Sequence, residues 1–278
     1  MEWSAAQARL REPPFDTLHA ALGRLPAERW PDHADLTAAA RGITVSSGAP
    51  LAFVPPRAAS ESGRRVYELH IARTGAVETR PRNWHDLFNA LAWITFPRTK
   101  ARINEQHAAI LEEGGEREAA KRGPARDALT LFDEGGIAVA SSSRELLRLI
   151  YEFRWKELFW TRREELARHV TFLGFGHAMY EQSLEPFLGM VGKTVFLSVQ
   201  EGFTALALDE RIARIDAMLA RHFADPSRFA SPRMMAPMPL LGIPGWHPGT
   251  AREDFYDDPV HFRGPRPKTF RPLPPGLT

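Results

Sequence analysis

The sequence contains no cysteine. This absence excludes disulfide bonds, thiolate-bound zinc, iron–sulfur clusters and thiol catalysis. It also favours a reducing compartment. The first residues show no apolar segment behind a basic one, so a secretion signal is not indicated. We therefore expect a cytoplasmic protein.

Long hydrophobic runs are also lacking. A bilayer-spanning helix needs a run of about 18 or more apolar residues, and the longest apolar segment, at 191–199, is interrupted by Gly192 and Lys193. The sequence therefore predicts no membrane partner. It gives no prediction of the oligomeric state.

A large excess of one charge is lacking as well, because 36 basic residues stand against 34 acidic ones, for a formal net charge of +2. So small an excess does not favour nucleic-acid binding. This function stays open as an alternative because of a cluster of arginines, whose charge is half offset by nearby glutamates. The arginines are Arg57, Arg64, Arg65, Arg73, Arg80 and Arg82, and the glutamates are Glu61, Glu68 and Glu78.

Several well-known motifs are absent. The sequence has no HExxH, GxSxG or EF-hand pattern. The segment from Gly189 to Thr194 has two residues between its glycines where a phosphate-binding loop needs four, and it leads into a strand-like run. Gly174 and Gly176 lack the third glycine of a dinucleotide-binding turn. These nucleotide sites are therefore not predicted.

The composition, 44% hydrophobic and 25% charged, is typical of a globular protein. We predict an α+β fold: a mostly helical single domain with two short β-hairpins and a proline-rich, extended C-terminal wrap. Residues 1–60 would form helices and loops packed on the core, and residues 61–224 the α+β core. Residues 225–278 would form the wrap, ordered by its aromatic residues and frayed after about residue 267.

Alternating apolar residues predict the two hairpins. The first spans 66–79 and turns at Thr74-Gly75. The second joins 129–132 to 137–140 through a turn at 133–136, which would explain Asp133 and Glu134 by turn chemistry.

Helical periodicity, caps and breakers predict the remaining elements. Asn83 is a good N-cap for a helix at about 84–96, with Asp86 placed as in a capping box. A further strand is predicted at 194–199. The other predicted helices span about 98–113, 143–160, 162–172, 176–186 and 208–223, the last with an apolar stripe of Ile212, Ile215, Leu219 and Phe223.

Candidate site residues recur beside apolar helical positions. His85 and Asn89 are four residues apart, and so they share one helix face. Such a pair can bind a metal, position a water or hold a phosphate. The alternative is that both are polar residues satisfied by the neighbouring backbone.

A second set of candidates lies further along the chain. Lys100, Asn104 and His107 share a face of the next helix, and Pro97 could fold that face against His85 and Asn89. This cluster would suit an anionic group, and its alternative is a solvated helix face. Arg126 and Asp127 follow, either as a structural ion pair or as part of a site.

The segment Gly174-Phe175-Gly176-His177 opens a helix whose free N–H groups would attract anions. His177 and Glu181 have the i, i+4 spacing of two metal ligands, and an ordinary helix start is the alternative.

Several blocks of the sequence occur together and in order: NWHDLFNALAWITFPRTKARINEQH (83–107), RGPARDALTLFDEGG (122–136), FGHAMYE (175–181), MPLLGIPGW (238–246) and FYDD (255–258). They resemble the conserved blocks of the bacterial domain-of-unknown-function family DUF3025. The resemblance covers roughly residues 60–265. It implies a bacterial origin and one continuous domain, and it brings no assigned reaction, cofactor or catalytic residue.

The leading hypothesis from the residues is an enzyme, for example a metal-assisted hydrolase, that acts on a small anionic molecule. His85 would be the general base or a metal ligand, and Asn89 would orient it or the substrate. Lys100 and Arg126, with Asn104 and His107, would bind the anion. Asp127 and His177 would complete the acid–base or metal set, and a divalent metal would be held by His177 and Glu181. The alternative is a non-catalytic binding or assembly protein. Catalysis requires these side chains to converge on one pocket.

Overall fold

The computed structural model describes residues 2–57, 64–120 and 122–264. Its α-helices are α1 (Trp3–Ala6), α2 (His19–Leu22), α3 (His33–Ala39), α4 (Arg64–Thr74), α5 (Trp84–Thr95), α6 (Pro97–Ala120), α7 (Pro124–Gly135), α8 (Arg144–Tyr151), α9 (Arg163–His169), α10 (His177–Ser183) and α11 (Leu208–His222). Its strands are β1 (Ala52–Val54), β2 (Ala76–Glu78), β3 (Gly136–Ser141), β4 (Val170–Gly174), β5 (Val191–Ser198) and β6 (Ala236–Pro239). The predicted α+β class is confirmed.

The larger sheet has the strand order β4-β3-β5-β6. β3 pairs antiparallel with β4 and parallel with β5, and all of its residues are buried. β6 is an edge strand, a position that tolerates its prolines, Pro237 and Pro239, because the N–H groups they lack need no ladder partner.

Successive residues of β3 contribute to two apolar clusters on opposite faces of the larger sheet. Ile137 and Val139 belong to the cluster that also contains the N-terminal helices and α5. Ala138 and Ala140 belong to the cluster that contains residues of α7 and α11. Because side chains alternate along a strand, the sheet lies between these two halves of the core.

The first predicted hairpin is wrong. Residues 64–74 form α4, and β2 pairs in parallel with β1 in a separate two-stranded sheet. Tyr67 and Ile71 fit both a strand face and the i, i+4 face of a helix, so the pattern alone did not decide. A parallel pair needs a crossover connection, and α4 is part of it. Gly75, with φ +73, places its Cα so near the Pro50 carbonyl that a Cβ would clash.

The second predicted hairpin is also wrong. Residues 129–132 lie within α7, which starts with Pro124 at its first position. Asp133 and Glu134 are helical residues and not turn residues. Leu129 and Phe132 are buried at helical spacing. β3 finds its partners far along the chain, at 170–174 and 191–198.

Other elements agree with the sequence more closely. Asn83 caps α5 by accepting from the Asp86 N–H at 3.0 Å, but the Asp86 carboxylate accepts from Arg80 and does not complete a capping box. α6 continues past its predicted end, with a kink at Gly115. α11 and the strand β5 are confirmed. The buried stripe of α11 is also confirmed: Ile212, Ile215, Leu219 and Phe223.

Two predicted helices are shorter than expected. The helix predicted at 143–160 ends at Tyr151, because Phe153 adopts a positive φ of 62°, and a π-helical turn follows at Glu157–Thr161. The helix predicted at 162–172 gives way to β4 at Val170.

The C-terminal segment up to residue 264 contains short 3-10 turns and β6 but no α-helix. Trp246 and Tyr256 are buried in the core, which explains why so proline-rich a segment is ordered. The fraying predicted after residue 267 lies outside the described residues. No helix of the described chain has the length and apolar character that crossing a membrane requires.

Candidate functional site

A cavity of about 360 Å³ opens among four helices, α4, α5, α6 and α7, and the start of α10. This size is within the range of small-molecule sites. Most of the residues predicted for the site line it. They are His85, Asn89, Lys100, Asn104, His107, Arg126 and His177.

Two predicted residues do not line the cavity. Glu181 does not line the cavity, but its carboxylate contacts His85, which does. Asp127 turns outward, with about half of its side chain exposed, and its carboxylate lies 3.7 Å from the Arg122 guanidinium. The predicted Arg126–Asp127 pair is therefore split, with only Arg126 facing the cavity.

Helical spacing presents these side chains on shared faces. His85 and Asn89 lie on the cavity face of α5, while Leu87 and Leu91 are buried in the core. On α6 the spacing of three and four residues places Lys100, Asn104 and His107 in one row, as the sequence indicated.

The start of α6 is fixed by α11. The buried Asp216 carboxylate accepts from the backbone N–H groups of Arg98 and Thr99, at 3.1 and 2.8 Å, and from the Thr99 hydroxyl at 2.7 Å. It therefore satisfies N–H groups that a helix start leaves without partners. This contact sets the position of Lys100 one residue later.

His177 is brought to the cavity by a close approach of α10 to the end of α7. A Cβ on Gly176 would clash with the backbone of Glu134, so only glycine permits this approach. The His177 ring then lies beside Asp133, with Nδ1 3.5 Å from Oδ2. This distance is too long for a good hydrogen bond, and the contact becomes ionic only when the ring is protonated.

Glu181, His85 and His177 form a chain of hydrogen bonds. His85 Nδ1 lies 2.9 Å from Glu181 Oε2, and His85 Nε2 lies 3.0 Å from His177 Nε2. Exposure falls along the chain, from 43% for the Glu181 side chain and 34% for His85 to 8% for His177. The chain therefore runs from the surface to the interior.

Lys100 and Asp133 form a buried ion pair next to this chain. Lys100 Nζ donates to Asp133 Oδ1 at 2.6 Å and to Asn89 Oδ1 at 2.8 Å. The ammonium group also lies 5.4 Å from the centre of the Trp93 ring, a cation–π distance. Lys100 and Asn89 are thus hydrogen-bonded to each other, and the charge of Lys100 is already paired with Asp133.

Burial shapes the electrostatics of this end of the cavity. Burial lowers the pKa of His177 to about 4, and the adjacent Asp133 carboxylate only partly opposes this shift. For Asp133, burial acts to raise the pKa, but Lys100 and His177 more than offset it and hold the pKa below its usual range. At neutral pH the site therefore contains an ionised Asp133 and a His177 without net charge.

The far end of the cavity has a different set of groups. Asn104 Nδ2 donates to the Glu68 carboxylate at 2.7 Å and to the Glu68 carbonyl at 3.0 Å. His107 is 4% exposed, and its buried Nδ1 has no hydrogen-bond partner among the described residues. Burial lowers its pKa, with Glu68 and Asp133 opposing and Arg126 contributing. His107 is therefore neutral and lies among charged groups of both signs.

Sequence reasoning missed Asp133 and Glu68. Asp133 was assigned to a turn, although Arg126, Thr130 and Asp133 follow the helical spacing of four and three residues, which would have placed it on the cavity face. Glu68 was not identified as a site residue because its segment was interpreted as a strand. The sequence analysis considered it only as an acidic residue that reduces the charge of the neighbouring arginines.

A metal would require ligands that converge. Among the described residues no group of three or more histidine or carboxylate side chains is arranged to hold an ion. His177 and Glu181 both contact His85. They therefore flank His85, one at each of its ring nitrogens.

The arginine cluster that kept nucleic-acid binding open is largely neutralised. Arg57 pairs with Glu78, Arg73 with Glu112 and Arg80 with Asp86. The side chains of Arg64 and Arg65 lie outside the described residues. Three of the four arginines whose side chains are described, Arg57, Arg73 and Arg80, thus have an acidic partner.

Comparison with known proteins identifies the family. The model of DUF3025, a protein family of unknown function, matches residues 51–266, and the chain belongs to this family. No curated protein and no solved structure matches the chain. The matched region contains every residue that lines the cavity.

Proposed function

We propose that this member of the DUF3025 family is an enzyme that transfers protons to and from a small polar substrate, with His85 as its general acid and base. The observation that carries the proposal is the position of His85 between Glu181 and His177, at 2.9 and 3.0 Å, on the wall of a ligand-sized cavity. A histidine oriented by a carboxylate on its second nitrogen is a recurrent arrangement for acid–base catalysis.

Counting protons supports this role. An ionised Glu181 carboxylate only accepts, so His85 Nδ1 carries a proton. If His177 donated through Nε2 as a neutral ring, its bare Nδ1 would face the Asp133 carboxylate, lone pair against lone pair. We therefore assign the His177 proton to Nδ1, and His85 donates to it through Nε2. In this arrangement His85 donates to both of its neighbours, the Glu181 carboxylate and the His177 ring.

The proton on His85 Nε2 is the one available for catalysis. Both nitrogens of His85 are engaged, so a substrate atom must replace one partner. The bond to the uncharged His177 ring is the easier one to open, because the partner at the other nitrogen is the Glu181 carboxylate. A substrate atom would then receive the proton from His85 Nε2, and the ring would take a proton back from water or from the product. His177 and Asp133, which are less exposed than His85, hold the ring position.

The competing hypothesis is a binding protein without turnover. The mutual satisfaction of Lys100, Asp133 and Asn89 favours it, since these groups already have structural partners. Both hypotheses use the same cavity. They differ in whether His85 exchanges a proton with the ligand.

The test compares wild type with His85→Gln, which keeps a polar side chain, on panels of chromogenic esters, amides and phosphate esters. General acid–base catalysis contributes about 100- to 10,000-fold, and we expect a loss of that size in His85→Gln with the fold intact by circular dichroism. His19→Gln, at an exposed histidine whose ring bonds to the Leu10 carbonyl and does not line the cavity, is the control and should keep full activity. Activity that survives in His85→Gln contradicts the proposal. Bound ligand without turnover would favour the binding protein.

A further inference from the structure

We infer that the substrate carries a free α-amino-acid group, with its ammonium bound by Glu68 and its carboxylate by Arg126. This inference rests on the proposed function, because it places the reacting part of the same substrate at His85. The cavity is charged with both signs along its length, so a purely anionic ligand would leave Glu68 facing a like charge.

The geometry of α6 and α7 defines the two ends of the cavity. Lys100, near the start of α6, bonds to Asp133, near the end of α7, so the two helices run antiparallel. His107 lies seven residues after Lys100, and Arg126 lies seven residues before Asp133. Seven residues are about two helical turns. Both helices therefore present His107 and Arg126 at the same level, about two turns away from the His85 end.

Glu68 is held ready for a cation. Its carboxylate is oriented by Asn104 at 2.7 Å, and the second bond from Asn104 to the Glu68 carbonyl ties α4 to α6. Among the described residues no cation forms an ion pair with Glu68, whereas Glu78 and Asp86, two other carboxylates that line the cavity, each have an arginine partner. A carboxylate in a cavity is stabilised by a cationic ligand, and a primary ammonium supplies three donors.

His107 does not neutralise the charge of the Glu68 carboxylate. It lines the cavity together with Glu68 and Arg126, and its burial disfavours the charged ring. A neutral imidazole does not compete with an ammonium group for Glu68. Arg126, which is 4% exposed, supplies a planar guanidinium suited to a carboxylate.

Apolar side chains fill the interval between the charged ends. Ile71 of α4 and Ile103 of α6 are buried and line the cavity. A ligand whose amino-acid head lies between Glu68 and Arg126 would pass these residues and present its side chain to His85 and His177. The structure thus assigns head-group recognition to α4, α6 and α7, and chemistry to α5 and α10.

The experiment measures binding and does not need the reaction to be known. Each common L-amino acid is titrated into wild-type protein by calorimetry, together with its N-acetyl and methyl-ester derivatives. We expect at least one amino acid to bind, and both derivatives to bind about tenfold more weakly or worse, a difference of about 1.4 kcal/mol. If no amino acid binds, or if both derivatives bind as tightly as the parent, the inference is wrong.

Variants separate the two ends of the head group. Glu68→Gln should lower the affinity for the amino acid about tenfold or more, while the exposed Glu112→Gln, matched in chemistry, should not change it. Arg126→Gln should abolish the discrimination against the methyl ester, and Arg126→Lys, which keeps the charge, should retain part of it. Unchanged affinity in Glu68→Gln, or unchanged discrimination in Arg126→Gln, overturns the assignment.

The same titration on His85→Gln distinguishes this inference from the proposed function. Unchanged binding with lost turnover supports both. Amino-acid binding without any His85-dependent turnover would contradict the proposed function and would still support the assignment of Glu68 and Arg126 to the head group. His85-dependent turnover of a substrate that lacks an amino-acid group overturns the inference alone.

Discussion

His85 Nε2 and His177 Nε2 lie 3.0 Å apart although 92 residues separate them in the chain. The rings meet nearly at right angles, at 81°, so that one ring directs its nitrogen at the edge of the other. This contact joins α5 to α10 and connects a half-exposed Glu181 to a less exposed Asp133.

The proton arrangement of this contact can be measured directly. Imidazole ¹⁵N shifts of wild type should place the single proton of the neutral His177 ring on Nδ1, with Nε2 accepting from His85. Glu181→Gln keeps an acceptor for His85 Nδ1 but removes its charge, so we expect the His85 ring shifts to change while the His177 tautomer stays the same. A His177 proton on Nε2 in wild type would contradict the assignment.

His177 should make stability depend on pH. Its pKa is about 4 in the folded protein against about 6.5 when unfolded, so the unfolded chain binds the proton first as pH falls. The free energy of unfolding contributed by this group is fully present above pH about 6.5 and falls toward pH about 4, by roughly 3 kcal/mol in total. His177→Asn should flatten that part of the urea-unfolding profile. An unchanged pH slope in His177→Asn would refute the prediction.

Replacing one partner of the Lys100–Asp133 pair should lower the free energy of unfolding strongly, whereas replacing both partners should lower it much less. Lys100→Met leaves Asp133 buried without its cation, and Asp133→Leu leaves the converse, so each single variant should lose about 3–5 kcal/mol of unfolding free energy. The double variant should lose far less than the sum of the two, as a double-mutant cycle by urea denaturation would show. Additive losses would mean that the pair is not coupled.

Gly176 should be intolerant of a side chain. Gly176→Ala forces its Cβ against the Glu134 backbone, and we expect a loss of about 1–3 kcal/mol in unfolding free energy and a disrupted His85–His177 contact in the ¹⁵N spectrum. The neighbouring Gly135→Ala, in a helix with nothing within 4 Å of its Cβ, is the control and should be neutral or stabilising. Equal behaviour of the two variants would show that the close approach is not required.

Asp216 should stabilise α6 from a distance in sequence. Asp216→Ala removes the acceptor of two backbone N–H groups and one hydroxyl, and a loss of about 2–4 kcal/mol is expected from these buried donors. Glu210→Ala on the same helix breaks only an exposed pair with Arg214 and should cost about 0.5 kcal/mol. A loss in Asp216→Ala no larger than that of Glu210→Ala would exclude the capping role.

Local spacing predicted which side chains share a helix face. His85 with Asn89, and Lys100 with Asn104 and His107, were identified because residues three and four apart are neighbours on any helix. The cap at Asn83 was identified for the same reason, since its partner lies three residues away.

Local pattern also produced the errors. Alternating apolar residues in 66–71 and 129–132 fit a strand as well as a helix, and only the packing of these segments against α6 and β3 selects the helix. Glu68 and Asp133 were overlooked as site residues because those segments were assigned to hairpins.

The sequence by itself determined the α+β class, the absence of cysteine chemistry, and the polar faces of α5 and α6. Tertiary structure alone decided that His85 meets His177, that Lys100 pairs with Asp133, and that Asp127 faces away from the cavity. The physical reason is the range of the interactions. Helix faces follow from bonds between residues a few positions apart, whereas the site depends on contacts across about 30 to 100 residues, which arise only when the apolar faces of several elements are buried together.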